Sequence, residues 1–193
     1  MHAFFGSKGL LVLQPDDAAL KAAFIPVMEK ELMSGFSHEA IQPTIAALSK
    51  DYHVQSEGRS INLFYLKDNN RNRLLKKEGR FFVHDTDISF SKSEILKETE
   101  CFPERFSPNV IMRPLYQEVI LPNLCYIGGG GELAYWLQLK SYFNSENITF
   151  PMLLLRNSVL ITTKKQLEKA DKLGLSTKEL FKKKEDLIAD KIR

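Results

Sequence analysis

"YIGGGGELAYWLQLK", residues 126–140, decides how this chain is read. Four consecutive glycines follow a short apolar run and precede a glutamate and a helical pattern. Glycine accepts positive φ and lets other atoms approach the backbone closely. The stretch is therefore either a tight turn or a point of contact with a ligand. In open α/β sheets, ligands bind beyond the C-terminal ends of strands, at helix N-termini whose unpaired N–H groups favour anions. Neither G-x-G-x-x-G in its usual setting nor G-x-x-x-x-G-K-[ST] is present, so the spacing alone leaves both readings open.

Working outward, "NLCYI" (123–127) reads as a buried strand and "ELAYWLQLKSYF" (132–143) as a helix with Leu133, Trp136, Leu137 and Lys140 on one side. "FPMLLLRNSVLIT" (150–162) is a second buried strand with an extension. Together they predict a β-α-β unit with parallel strands at Leu124–Ile127 and Met152–Leu155 and a right-handed crossover. Upstream, "RPLYQEVILP" (113–122) predicts a short helix with Pro114 at its first position, where a missing N–H costs little.

Near the start, "GLLVLQPDD" (9–17) predicts a buried strand at Gly9–Leu13, with Asp16 or Asp17 capping a helix from about Ala18 to Met33 that Gly35 ends. A second helix is expected over about His38–His53. The middle has a different texture. "INLFYLKDNNRNRLLKKEGRFFVHD" (61–85) has three apolar runs broken at "DNNRN" and "KKEGR", which predicts an antiparallel meander with tight hairpins. Ser91 or Ser93 then caps a short helix. At the end, Ser176 and Glu179 fit a capping box, and Leu180/Leu187 and Phe181/Ile188 recur seven apart. These predict one helix running from Ser176 to Arg193, the first turns of a coiled coil, with an exposed stripe that favours self-association.

The expected fold class is α/β: a partial Rossmann-like, mostly parallel sheet with an inserted antiparallel β-meander. The expected organisation is residues 1–56 as the first part of the core, 57–103 as a connecting subdomain, 104–163 as the second part, and 164–193 as a basic helical tail.

Composition narrows the function classes. The chain has 193 residues and 44% apolar content, enough for a real core. A net charge of +3 is too small to point to nucleic acid. The charge is uneven, with ten Lys/Arg against six Asp/Glu between Lys164 and Arg193. Two cysteines, Cys101 and Cys125, make no disulfide framework, and four scattered histidines have no metal spacing, so no metal is expected. No apolar run approaches the ~20 residues of a membrane span, and no signal peptide is visible, so the expected location is cytoplasmic.

Residues 104–161, "ERFSPNVIMRPLYQEVILPNLCYIGGGGELAYWLQLKSYF…FPMLLLRNSVLI", resemble the bacillithiol-biosynthesis cysteine-adding enzyme family. The family pattern there is close to S-x-N-V-x-x-R-P-x-x-Q-[DE]-x-L-x-P-x-x-A-[YF]-I-[AG]-G-P-G-E-x-x-Y-W-x-x-L-K. Gly130 stands where the family has Pro, and Cys125 where it has Ala. The family's enzymes are longer, and the resemblance reads this chain as the C-terminal part of their core. It implies a ligase that adds L-cysteine to glucosaminyl malate, small-molecule substrates, a possible use of ATP or another nucleotide, homodimers formed through the coiled coil of the full-length protein, and no activity for this chain alone. The alternative is a non-catalytic α/β binding or assembly module.

The resemblance and the residues together nominate a substrate- or nucleotide-binding set; no catalytic residue is assigned. Arg113 and Arg156 can each hold a carboxylate or phosphate bidentately; the alternative is a structural ion pair, with Glu118 for Arg113. Gln117 and Glu118 either line a cleft or form a solvated face. Gly128, Gly129, Gly130 and Gly131 form the turn. Glu132 either grips a substrate ammonium or complements the helix dipole. Tyr135 and Trp136 point about 100° apart on a helix, so one enters the core and the other can face a cleft. Asn157 follows Arg156 at the end of a strand, a favoured place for ligand contact.

Overall fold

The computed structural model describes residues 1–192, with the side chains of residues 191 and 192 left aside; the predicted helix end at Arg193 lies outside the described residues. The described chain forms two compact units, residues 1–156 and the residues from 157 onward.

The first unit begins with a single helical turn, α1 (His2–Phe5). The apolar run that follows is not a strand. Residues 10–14 have no regular structure, and Leu11 and Val12 are 65% and 57% exposed. An apolar run becomes a strand only when a neighbour completes its hydrogen bonds, and no strand of the described residues lies beside this one. The helix expected over 18–33 is broken in two, α2 (Ala18–Ala22) and α3 (Ile25–Ser34), with Pro26 in the first turn of the second. Asp17 caps α2 by accepting from the backbone N–H groups of Ala19 and Leu20 at 2.9 and 3.1 Å. Gly35, at φ 62°, ends α3. The next helix, α4 (Phe36–Leu48), is shorter than expected.

The meander takes the predicted form. Strands β1 (Leu63–Lys67), β2 (Asn70–Lys77) and β3 (Arg80–Val83) pair antiparallel. Both hairpins turn on two positive-φ residues, Asp68–Asn69 and Glu78–Gly79, whose twist matches that of the flanking strands. The meander is more than an insertion, however. β4 (Ser89–Phe90) joins one edge and β5 (Phe106–Pro108) the other, giving a five-stranded antiparallel sheet in the order β4-β3-β2-β1-β5. Between them lies α5 (Lys92–Cys101), opened by a capping box of Ser91 and Glu94.

α6 (Arg113–Ile120) leads to β6 (Cys125–Gly128), then α7 (Gly130–Leu137), α8 (Lys140–Ser145) and β7 (Met152–Leu155). β6 and β7 pair in parallel, Cys125 opposite Met152 and Gly128 opposite Leu155. Parallel pairing was expected here; a mostly parallel sheet was not found, because this sheet has two strands and the larger one is antiparallel. Its strands are also not buried: Leu124, Ile127, Met152 and Leu155 are 60–93% exposed. Parallel strands are ordinarily covered on both faces, so this pair presents an apolar surface. The helix after the glycines ends at Leu137, which is exposed, while Lys140 starts α8.

One core joins α3 and α4 to the inner faces of the sheets. Phe24, Met28 and Leu32, spaced at i, i+4 and i+8, are each 0% exposed. Trp136, Tyr142 and Phe143 close the core from α7 and α8. Ser141 pins α8 to α4 by donating Oγ–H to the Ala40 carbonyl at 2.6 Å and N–H to Thr44 Oγ1 at 3.0 Å.

The second unit holds α9 (Lys164–Lys172), capped by Thr163 with Gln166, and α10 (Lys184–Ile192). The Ser176–Glu179 capping contacts form, but only a 3-10 turn follows, at Glu179–Phe181, and Lys182 is extended. The predicted single helix from Ser176 is therefore interrupted, and no coiled coil is formed by the described residues. The break falls at Lys182, ahead of α10, where Phe181 and Ile188 are 65% and 45% exposed, so no packed apolar face holds a continuous helix together. No helix of the described residues is long and apolar enough to cross a membrane.

Candidate functional site

The site is built where β6 runs into α7. Gly128 ends the strand, and a Cβ there would meet the Tyr126 ring at 2.7 Å, so no larger residue fits without displacing that ring. Tyr126 in turn stacks on Trp136, centroid to centroid 4.1 Å. Gly129 sits in an extended conformation just before the helix. Its N–H donates to Glu132 Oε2 at 2.7 Å, and Tyr126 Oη donates to Glu132 Oε1 at 3.3 Å. The Gly129 N–H holds the Glu132 carboxyl below the usual carboxylate range, and Tyr126, Arg156 and Arg113 act in the same direction. Glu132 thus closes the first turn of its own helix.

Two arginines flank this turn. The Arg156 backbone N–H donates to the Gly128 carbonyl at 2.8 Å, which brings the end of β7 beside the end of β6. A Cβ on Gly129 would stand 3.2 Å from Arg156 Nη2, so the guanidinium lies against the glycine. Arg113 opens α6 and pairs with no carboxylate within the described residues; Glu118, its expected partner, is elsewhere engaged. Glu118 is 2% exposed and accepts from Asn123 N–H at 2.8 Å and Asn123 Nδ2 at 3.0 Å. It clamps the loop after α6, with Gln117 Nε2 donating to it at 3.2 Å. Gln117 itself shares with Arg113 the wall of a shallow cleft of about 340 Å³.

Gly130 and Gly131 have open space on their Cβ side. Gly130 is the first residue of α7, the position at which the family pattern carries proline and at which a helix accepts it best. Tyr135 and Trp136 divide as the helical angle requires: Trp136 is 1% exposed, and Tyr135 lines a cleft. Asn157 belongs to the second unit and is exposed. Cys125, expected in the core, is half-buried, and Cys101 is exposed. The described residues contain no group of three His, Cys, Asp or Glu side chains able to hold a metal.

The cleft that Tyr135 lines has a volume of about 410 Å³ and joins Arg113 to residues that the sequence did not single out, chiefly Lys21 and Arg71. Lys21 is 1% exposed; its Nζ donates to the Phe106 carbonyl and lies 3.3 Å from Asp16 Oδ1. A lone lysine in a helix and an arginine in a hairpin carry no local signal. They converge because β5 brings Phe106 against α2 and the β1–β2 turn brings Arg71 over Ser107.

Comparison with known proteins fits this arrangement. Residues 1–157 match the family described as "Bacillithiol biosynthesis BshC, N-terminal Rossmann-like domain". A protein of Flavobacterium johnsoniae named "Putative cysteine ligase BshC" is 59% identical over 97% of this chain and 35% of its own length. Proteins bearing the same name from Christiangramia forsetii and Shouchella clausii are 55% and 41% identical, over 100% and 74% of this chain. The chain spans about a third of the length of the first two of these curated relatives and about a quarter of the third. What it matches is the family's N-terminal domain, rather than a C-terminal part of the core as the motifs suggested. Over most of its length, then, this chain belongs to the BshC family of bacillithiol biosynthesis.

Proposed function

We propose that this chain forms part of a carbon–nitrogen ligase that adds L-cysteine to glucosaminyl malate, and that the turn at Gly128–Gly131 helps to hold the anionic groups of that reaction. The observation that carries this reading is the pair of guanidinium groups beside the turn: Arg156 lies against Gly129, Arg113 at the start of α6 acts electrostatically on Glu132, and neither is ion-paired within the described residues. Arginine forks bind carboxylate and phosphate bidentately.

A carboxylate does not acylate an amine unless it is first activated, and a nucleotide such as ATP supplies that activation when bound. The donors present fit its phosphates: two arginine forks beside a helix N-terminus where Gly130 and Gly131 leave the approach open. Arg113 and Arg156 would orient the anion, and the cleft beside Tyr135 would keep the reacting groups close together.

The reading gives this chain no activity by itself, since it spans about a third of its relatives' length. The exposed apolar face of β6 and β7 supports the same view and also the second reading, an assembly module that works only when covered. Both are tested on the full-length protein that contains this stretch, by following cysteine-dependent consumption of glucosaminyl malate. Replacing Arg113 and Arg156 together by Gln is expected to lower kcat/KM by at least 100-fold, from two charge-assisted contacts at about tenfold each. Full activity in the double variant would overturn the ligase-site reading, and an inactive parent protein would favour the assembly module.

A further inference from the structure

We infer that the cleft lined by Lys21, Arg71 and Arg113 is a binding site for a compact dianion, a phosphoryl group or a dicarboxylate. The inference rests on reading this region as an anion site and not on the ligation itself.

Charge balance is the first argument. Three cationic groups line the cleft, and Asp16 is the carboxylate that lines it with them, which leaves two positive charges uncompensated. The cations are close enough to oppose one another. Burial lowers Lys21, and partial desolvation lowers Arg71, whose side chain stays open to solvent; repulsion by Arg71 at Lys21 and by Arg113 at Arg71 acts in the same direction, and Asp16 opposes it at both. Glu104 offsets Lys21 only from a distance. A dianion would relieve this repulsion, whereas a monoanion would leave one charge over.

Preorganisation is the second argument. The Arg71 guanidinium lies over the Phe64 ring, 3.7 Å from its centroid, with Nε donating to Ser107 Oγ at 3.2 Å and Nη2 to the Pro108 carbonyl at 3.3 Å. Two of its five N–H groups are thereby used to fix the fork, and three remain for a ligand. Lys21 is held at the floor by Asp16 and the Phe106 carbonyl. Tyr116, whose hydroxyl donates to the Pro15 carbonyl at 2.9 Å, and Tyr135 form aromatic walls of the cleft. At about 410 Å³ the cleft accepts a small charged group with room for its attached carbon skeleton.

The test is calorimetric titration of the 193-residue chain with inorganic phosphate, with succinate and with acetate, at pH 8 and low salt. At least one of the two dianions is expected to saturate a single site and to bind about tenfold or more tighter than acetate. Which dianion does so identifies the ligand class. Arg71→Gln, which alters an exposed side chain, and Arg113→Gln are each expected to weaken that binding about tenfold, while thermal melting confirms that the variants fold. Equal weakness of phosphate, succinate and acetate would overturn the inference, as would undiminished binding in both variants. Because binding by this chain is measured without turnover, loss of the ligase reading leaves the result intact, and the reverse also holds.

Discussion

Glu31 Oε1 accepts the backbone N–H of Asn62 at 2.7 Å, joining the end of α3 to the segment that enters β1. The same carboxyl accepts from Ser37 N–H at 3.0 Å and Ser37 Oγ–H at 2.9 Å, and Asn62 Nδ2 donates back to Ser37 Oγ at 2.8 Å. Asn109, at the start of the segment leading into α6, donates Nδ2–H to Asn62 Oδ1 at 2.7 Å. Glu31, Ser37 and Asn62 are each 0% exposed. Three chain segments are thus tied at one fully satisfied buried centre, the kind of network that fixes a single arrangement. Replacing Glu31 by Ala strands three buried donors and should lower unfolding free energy by about 3–5 kcal/mol. Urea denaturation measures this; a loss below about 1 kcal/mol would mean that the network does not hold the segments together.

Gly35 and Gly79 both have positive φ, 62° and 77°, but they differ in their surroundings. A Cβ on Gly35 would stand 2.2 Å from the Ser60 carbonyl oxygen, while at Gly79 nothing lies within 4 Å. Gly79→Ala should therefore cost about 1 kcal/mol, the conformational term alone. Gly35→Ala should cost more by at least about 2 kcal/mol, because backbone must move. Equal thermal shifts for the two variants would contradict this account.

Gly130→Pro should stabilise the protein by about 0.4–1 kcal/mol through the unfolded state. Gly130 is the first residue of α7, and Gly129, at ψ 165°, already has the extended conformation that a following proline requires. Chemical denaturation of the variant decides the matter, and a lower midpoint would show that the turn needs the Gly130 N–H.

Alkaline pH should destabilise the fold. Burial pushes the Tyr65, Tyr116 and Tyr126 hydroxyls up to about 12, with Glu98 contributing at Tyr65. The unfolded chain releases these protons near pH 10 and the folded chain does not, so their stabilising contribution is complete below pH 10 and disappears as pH rises toward 12. Lys21 acts with the opposite sign, because its lowered value makes stability rise with pH, but only up to about 10.5. Urea midpoints compared at pH 10.5 and 11.5 isolate the tyrosines, and an unchanged midpoint would refute their role.

The parts of the fold that were legible in the sequence are those with local causes. Asp17 and Ser91 cap because their side chains reach N–H groups two or three residues ahead, and the Asp68–Asn69 and Glu78–Gly79 turns follow from residues that tolerate positive φ. Parallel pairing of β6 with β7 follows from the intervening helices. The misreadings concern burial, which depends on layers that local pattern does not supply. Leu10–Leu13 and the strands around Ile127 and Leu154 have the composition of core strands and lie exposed. The glycine turn itself was legible as a strand-to-helix junction. Lys21 and Arg71 were not, since only the tertiary fold brings an otherwise ordinary lysine and arginine to one cleft.

The two-stranded parallel pair also sets an order of events in folding. Turns of two residues join β1 to β2 and β2 to β3, so those pairings form at small entropic cost. β6 meets β7 only by closing the 23 residues between Gly128 and Met152, which carry α7 and α8, a costlier closure than either hairpin. With no third strand beside either edge among the described residues, little holds the pair shut once it has formed. Amide hydrogens of Tyr126 and Leu153 should therefore exchange with solvent at the lowest opening energy of any strand in the first unit, and those of Tyr65 and Leu74 at the highest. The surface beside the glycine turn would then be the last part of this unit to close during folding and the first to open.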